Sequence, residues 1–180
     1  TGISNTALRF DGSASKVDMG NTSSLSLTNT GSVNVWLYQT DNTNYSYVVA
    51  KENTSYNLNG YSISIDAGGA NVLFELADGS SAITGNTGVI SENTWHMITM
   101  TWDGSTVNGY IDNVLKSTFS QTLNPVSNVF DFYLGVRSYD GLAVYFTGTI
   151  DECGVWNRSL TGTEITTLFN SGSAKAYPFT

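Results

Sequence analysis

A chain of 180 residues with a net charge of −8 and only seven Lys and Arg presents a repulsive field to a phosphate backbone, which argues against nucleic acid and anionic membrane surfaces as partners. It has no apolar run near the ~20 residues that span a bilayer. Its one cysteine, Cys153, excludes an internal disulfide and reads as a small buried residue.

Charged residues make up 12% of the chain while Ser, Thr, Asn and Gly abound. The surface is therefore polar by hydroxyl and amide, which suits a secreted, cell-surface or virion-surface β-protein. The length fits one domain over residues 1–180. The first residues, TGISNTALRF, are too polar for a signal peptide. Both ends read as trimmed linkers, so the expectation is a piece of a longer polypeptide. Sequons stand at Asn21, Asn44, Asn53 and Asn157.

Short alternating runs separated by Gly, Asn and Asp clusters predict an antiparallel sandwich. Leu8 and Phe10 alternate before the turn Asp11-Gly12-Ser13. Val33, Val35 and Leu37 form one face of the next strand; Asn34, Trp36 and Tyr38 form the other. Tyr47–Lys51 and Tyr61–Asp66 read as strands joined by a long polar loop, and Val72–Leu76 as a strand before Asp78-Gly79. Trp95–Trp102 pairs through Asp103-Gly104 with Val107–Ile111. Phe130–Val136 and Val144–Val155 supply the last strands. One helix is signalled by Thr161 and Glu164 at capping-box spacing, by a Leu160–Ile165 staple, and by Gly172 as its left-handed stop. A short solitary helix is expected to plug one end of the sandwich. The fold class is all-β: a two-sheet antiparallel jelly-roll sandwich with one short C-terminal helix.

The residues restrict catalysis. A retaining glycosidase needs two carboxyl groups ~5–5.5 Å apart, and no two Asp or Glu stand at i,i+2 or i,i+4 to share a strand face. Asp151 and Glu152 are adjacent, and a regular strand would point them to opposite faces. A pair drawn from different strands stays open. His96 could serve as a general base only with partners. No serine-nucleophile elbow or Gly-rich phosphate loop occurs, and one His with one Cys cannot build a typical zinc site. Calcium fits better, because carboxylates and loop carbonyls both suit it. Asp11 and Asp151 could converge on one ion if the chain ends meet; alternatively, Asp11 simply starts a turn. The four Trp and ten Tyr are the remaining handle. Trp95, Trp102 and Trp156 read as core. Trp36 and Tyr38 share a face with Asn34, and Tyr45, Tyr56 and Tyr139 sit among polar loop residues. Such rings suit a sugar's apolar face, a protein partner, or ordinary surface packing.

Five segments together carry a resemblance: ALRFDGSASKVDMG, SVNVWLYQ, KENTSYNLNGYSISI, NTWHMITMTWDGSTVNGYIDNVLKS, and the closing FYLGVRSYDGLAVYFTGTIDECGVWNRSLTGTEITTLFNSG. In that order they resemble the laminin-G-like jelly rolls of the concanavalin A-like lectin/glucanase superfamily. The resemblance implies two packed sheets with a concave face. It implies that Trp95 and His96 belong to the fold pattern, and it strengthens the structural calcium reading for Asp11 and Asp151. Members bind glycans, proteins or lipids, so the fold alone names no ligand.

The resulting expectation is a non-catalytic, extracellular, lectin-like module whose partner is a glycan or polysaccharide. Its ligand residues would be Trp36, Tyr38, Tyr45, Tyr56, Asn59, Tyr61, Arg137, Tyr139 and Asp140. The aromatics would stack on sugar rings, Asp140 and the amides would bond hydroxyls, and Arg137 would pair with a carboxylate or sulfate. The alternative is a structural or adhesive surface domain that binds another protein. A glycoside hydrolase or polysaccharide lyase ranks last.

Overall fold

A computed structural model describes residues 2–3, 6–53, 59–68, 70–139 and 142–176. The strands are β1 (Leu8–Asp11), β2 (Val17–Asp18), β3 (Gly31–Gln39), β4 (Ser46–Asn53), β5 (Asn59–Ile65), β6 (Asn71–Asp78) and β7 (Ala82–Val89). They continue with β8 (Trp95–Trp102), β9 (Thr106–Ile111), β10 (Val114–Ser120), β11 (Tyr133–Leu134), β12 (Val136–Tyr139), β13 (Leu142–Tyr145) and β14 (Thr147–Trp156). One α-helix, α1 (Gly162–Phe169), follows. Two six-stranded sheets have the orders β1-β14-β3-β8-β9-β10 and β2-β11-β4-β5-β6-β7, with a separate β12-β13 hairpin. The jelly-roll sandwich expected from the alternating pattern is the observed architecture. Among the described residues, no helix is long and apolar enough to cross a membrane.

Alternation builds the interior. Val33, Val35 and Leu37 on β3, with Ile98, Met100 and Trp102 on β8, meet Val49, Ile63, Ile65, Val72, Phe74 and Leu76 of the second sheet in one buried cluster. The Asp-initiated turns cap the strands by one device, an aspartate that accepts backbone amides. Asp103 Oδ1 takes the N–H groups of Ser105 and Thr106, and Asp78 Oδ1 those of Ser80 and Ser81, all at 2.8 Å. These bonds stabilise the ionised carboxylates and lower their pKa values.

The helix does not plug an end; it covers the outer face of the first sheet. Leu160, Ile165 and Leu168 bury Trp36 and Met97 in a second cluster, and Phe169 stacks on Trp36 with ring centroids 5.7 Å apart and planes 6° from parallel. The capping box forms as its spacing implies, with Thr161 and Glu164 bonding each other's backbone N–H. The left-handed stop falls on Asn170 (φ 47°) rather than Gly172. Pairing departs from the expected strands in several places. Strands β7 and β10 form where no strand was expected, the Phe130–Val136 run pairs in the second sheet only at Tyr133–Leu134, and Val144–Val155 is split between β13 and β14.

Trp36 is therefore a structural residue. Replacing it with Ala is expected to cost about 3–5 kcal/mol in urea unfolding, with the loss concentrated in detachment of α1. A cost below about 1 kcal/mol would contradict this packing.

Candidate functional site

With α1 over the centre of the first sheet's outer face, the outer face of the second sheet is where polar chemistry collects. On β5 the residues Tyr61, Ile63 and Ile65 point inward, so Ser62 and Ser64 point out. Register sets Ala50, Ser62, Glu75 and Thr84 in one row across β4–β7, and Glu52 stands two residues beyond Ala50 on the same face. The hairpin β12–β13 packs against β4 and delivers Arg137. Its guanidinium lies 4.1 Å from the centroid of the Tyr47 ring. Arg137 Nη1 donates to Tyr47 Oη, and to Glu52 Oε1 at 3.4 Å. Tyr45 packs on Tyr47 at 5.3 Å and shares a 2.7 Å hydrogen bond with Ser64.

The electrostatics are dominated by burial. The Glu52 side chain is 0% exposed. Burial, helped by the charge of Glu75 and opposed by Arg137, pushes its pKa up to about 8. Burial likewise raises the Tyr47 hydroxyl. Glu75 Oε2 accepts from Thr84 Oγ1 at 3.2 Å. Glu52 is hydrogen-bonded to the side chains of Glu75 and Ser62, while the buried Ser46 Oγ has no partner among the described residues. An unpartnered buried hydroxyl costs roughly 1–3 kcal/mol.

The expected ligand residues divide. Arg137 and Tyr45 belong to this cluster. Trp36 does not, because it is buried beneath α1. Tyr38 shares the face of Trp36, away from the second sheet, and packs on Trp95 at 5.7 Å. Tyr61 is interior, with its hydroxyl donating to Leu25 O at 2.8 Å. Asn59 begins β5, and its carbonyl accepts from Asn128 Nδ2 at 3.0 Å. Tyr56, Asp140 and the side chain of Tyr139 lie outside the described residues. Sequence reasoning missed Tyr47, Glu52, Ser62, Ser64 and Glu75. The period-2 pattern of Tyr-Ser-Ile-Ser-Ile already placed the serines on the outer face, whereas bringing the two glutamates together required the register.

Asp11 and Asp151 do not converge on one ion. Asp11 pairs with Thr147, and Asp151 is four residues further along β14, ~13 Å at strand rise. Asp11 Oδ1 accepts the amides of Ser13, Ala14 and Ser15, each at 2.9 Å, which hold its carboxyl well below the usual range. Asp151 accepts from Ile3 N and Glu152 N, both at 3.0 Å. It opens a bulge in β14 where Glu152 adopts φ 45°, so the Asp-Glu pair is not on a regular strand. Among the described residues, no group of three or more His, Cys, Asp or Glu is placed to hold a metal. Cys153, half-buried, packs against the core, and burial pushes its thiol up to about 12.

His96 does find partners. Its Nδ1 lies 2.7 Å from Asp112 Oδ2, and its Nε2 lies 2.9 Å from Ser91 Oγ and accepts Ser91 N–H at 3.2 Å. Asp112 Oδ1 accepts Met97 N–H at 2.9 Å. The order is that of a hydrolytic triad, but the Ser91 amide that an oxyanion would need is spent on the imidazole. The array ties the start of β8 to the β9–β10 turn.

The profile of a family described as the Concanavalin A-like lectin/glucanases superfamily matches residues 11–166. No curated protein sequence matches the chain. Among solved structures, the chain is similar to the CBM40 of the Ruminococcus gnavus IT-sialidase bound to α2,3-sialyllactose, with 14% identity, TM-score 0.75, and coverage of 89% of this chain and 94% of that one. It is also similar to the binding domain of Paraclostridial Mosquitocidal Protein 1, with 17% identity, TM-score 0.73, and coverage of 92% and 43%. Domain 4 of AbnA, a GH43 extracellular arabinanase from Geobacillus stearothermophilus, in complex with arabinotriose, matches with 20% identity, TM-score 0.68, and coverage of 95% and 82%.

The raised pKa of Glu52 has a consequence for stability. The folded state holds the proton more tightly than the unfolded one, so this contribution is complete below the unfolded value and is lost as pH rises through about 8. The melting temperature of the wild type should fall from about pH 5 to about pH 9 more steeply than that of Glu52→Gln. Parallel melting profiles for the two proteins would contradict the buried, protonated carboxyl.

Proposed function

We propose that this chain, which belongs to the Concanavalin A-like lectin/glucanases superfamily, is a non-catalytic carbohydrate-binding module. It would hold an acidic glycan on the outer face of β4–β7, in an extracellular setting. The observation that carries the reading is Arg137, fixed over the Tyr47 ring and steered by Glu52. A guanidinium held this way offers a planar fork to a carboxylate or sulfate. Burial of Glu52 favours its protonated form, which weakens its hold on that charge. Tyr45 offers a ring edge at the rim, and Thr84 and Asn86, both exposed, supply hydrogen-bonding groups for sugar hydroxyls. The sialyllactose and arabinotriose complexes of similar domains support a glycan as the ligand class. Full burial of Glu52 argues against its passing a proton to a glycosidic oxygen, so the Glu52–Glu75 pair favours binding over cleavage.

The test is calorimetric titration with α2,3-sialyllactose beside neutral lactose, after a glycan array to choose further acidic ligands. Wild type should prefer the acidic sugar. Arg137→Ala, shown folded by circular dichroism, should weaken that binding at least about tenfold, the loss expected for a charged hydrogen bond. Unchanged affinity in Arg137→Ala, or no response to any acidic glycan, would overturn the reading.

A further inference from the structure

The segment between β7 and β8, residues 90–94, is held by groups from elsewhere in the chain. Ile90 N–H donates to Ala70 O at 3.1 Å, and Asn93 N–H, from a left-handed backbone (φ 56°), donates to Gln39 O at 2.8 Å. Glu92 Oε1 accepts Asn42 N–H at 2.8 Å, and Asn42 O accepts Gly68 N–H at 2.7 Å. These bonds tie together the β3–β4, β5–β6 and β7–β8 connections at one end of the sandwich. Ser91, exposed within the segment, is attached by a bond of another kind: its N–H donates to His96 Nε2 at 3.2 Å.

That bond fixes the state of the ring. A nitrogen that accepts an N–H carries a lone pair, so Nε2 is unprotonated and the ring proton sits on Nδ1. Nδ1 donates to Asp112 Oδ2 at 2.7 Å, and Asp112 is itself held by Met97 N–H on its other oxygen at 2.9 Å. A second proton can enter only at Nε2. Nδ1 then still donates to Asp112, so the ring keeps its place, but Nε2 now turns an N–H toward the Ser91 N–H. Two donors cannot share a hydrogen bond. Ser91 Oγ, 2.9 Å from Nε2, is the acceptor at hand for the new proton, and the exposed Ser91 amide is left to water. Of the ionisable groups on the neighbouring elements, Asp112 pairs with the ring. Glu92, Asp41 and Asp66 accept the backbone amides of Asn42, Thr43 and Asn71, and β3 sets the uncharged Leu37 opposite His96.

We propose that His96 is a pH-operated latch on this end of the sandwich. The neutral ring holds Ser91 by its amide; the protonated ring exchanges that bond for one to Ser91 Oγ, and the 90–94 segment loosens together with its ties to Gln39 and Asn42. Histidine is the side chain whose charge ordinarily changes between about pH 5 and about pH 8, so the three connections are held more firmly in neutral than in mildly acidic medium. The latch does not depend on the reading of Arg137 as a ligand group.

The test is NMR of the wild type from about pH 8 to about pH 5. The imidazole ¹⁵N shifts of His96, the one histidine in the chain, report which nitrogen holds the proton. Hydrogen exchange of the Ser91, Asn42 and Asn93 amides, corrected for the intrinsic pH dependence of exchange, reports the state of the segment. At the upper pH, Nε2 should be the bare nitrogen. As the ring takes its second proton, protection of the Ser91 amide should fall about tenfold, on the scale of one hydrogen bond, and protection of Asn42 and Asn93 should fall with the same midpoint. In His96→Gln, whose side chain does not titrate, protection of all three amides should be flat over this range. A proton on Nε2 at the upper pH, protection that stays constant while the ring titrates, or the same loss in His96→Gln would overturn the proposal.

Discussion

The burial of β3 on both faces is the constraint from which the rest follows. Val33, Val35 and Leu37 face the second sheet, and Trp36 on the opposite side is sealed by Leu160, Ile165, Leu168 and Phe169. Once that helix is in place, the first sheet has no open face near its centre. Polar side chains collect instead on the outer face of the second sheet. The capping box matters for the same reason, since a helix of this length is marginal without tertiary contacts and caps.

On the second sheet the balance runs the other way. Ser46, Ser62 and the two glutamates place buried polar atoms on strands whose other faces supply Ile63, Phe74 and Leu76 to the core. A purely structural sheet of this depth would gain by replacing those atoms with apolar groups. Their retention marks a place where stability is given up, and such places are commonly functional. Arg137 makes the concentration of polarity coherent: it stacks on Tyr47, reaches Glu52, and comes from a hairpin outside both six-stranded sheets.

The sequence revealed what local physics controls. The 2-residue period of β3 and β8, the Asp-Gly turns and the Thr161–Glu164 cap each rest on neighbours in sequence, and each formed. Strand β7, Ala-Ile-Thr-Gly-Asn-Thr-Gly-Val, and strand β10 were hidden, because few of their residues face the core and alternation is then weak. The two faces of β3 were legible as faces. Which of them would be covered was not, because Asn34 and Tyr38 beside Trp36 look like a wet surface until the helix is placed over it. Asn34 is in fact buried and accepts from Thr99 Oγ1 at 2.6 Å. The distance between Asp11 and Asp151, like the meeting of Glu52 and Glu75, is a property of register, and register is set by pairings remote in sequence.

The net charge of −8 adds a final condition. A protein so charged repels an acidic glycan at long range, although at physiological ionic strength that repulsion decays over about 8 Å. Any attraction must therefore come from groups that touch the ligand. A guanidinium on an aromatic face, partly withdrawn from water and beside a carboxyl whose protonated form burial favours, holds its charge where screening by salt is weakest. Such an arrangement contributes little to the rate of encounter and much to the choice among ligands once they arrive. On the proposed reading, a surface otherwise made of hydroxyls and amides would leave one anionic group on the sugar as the main difference for the outer face to read.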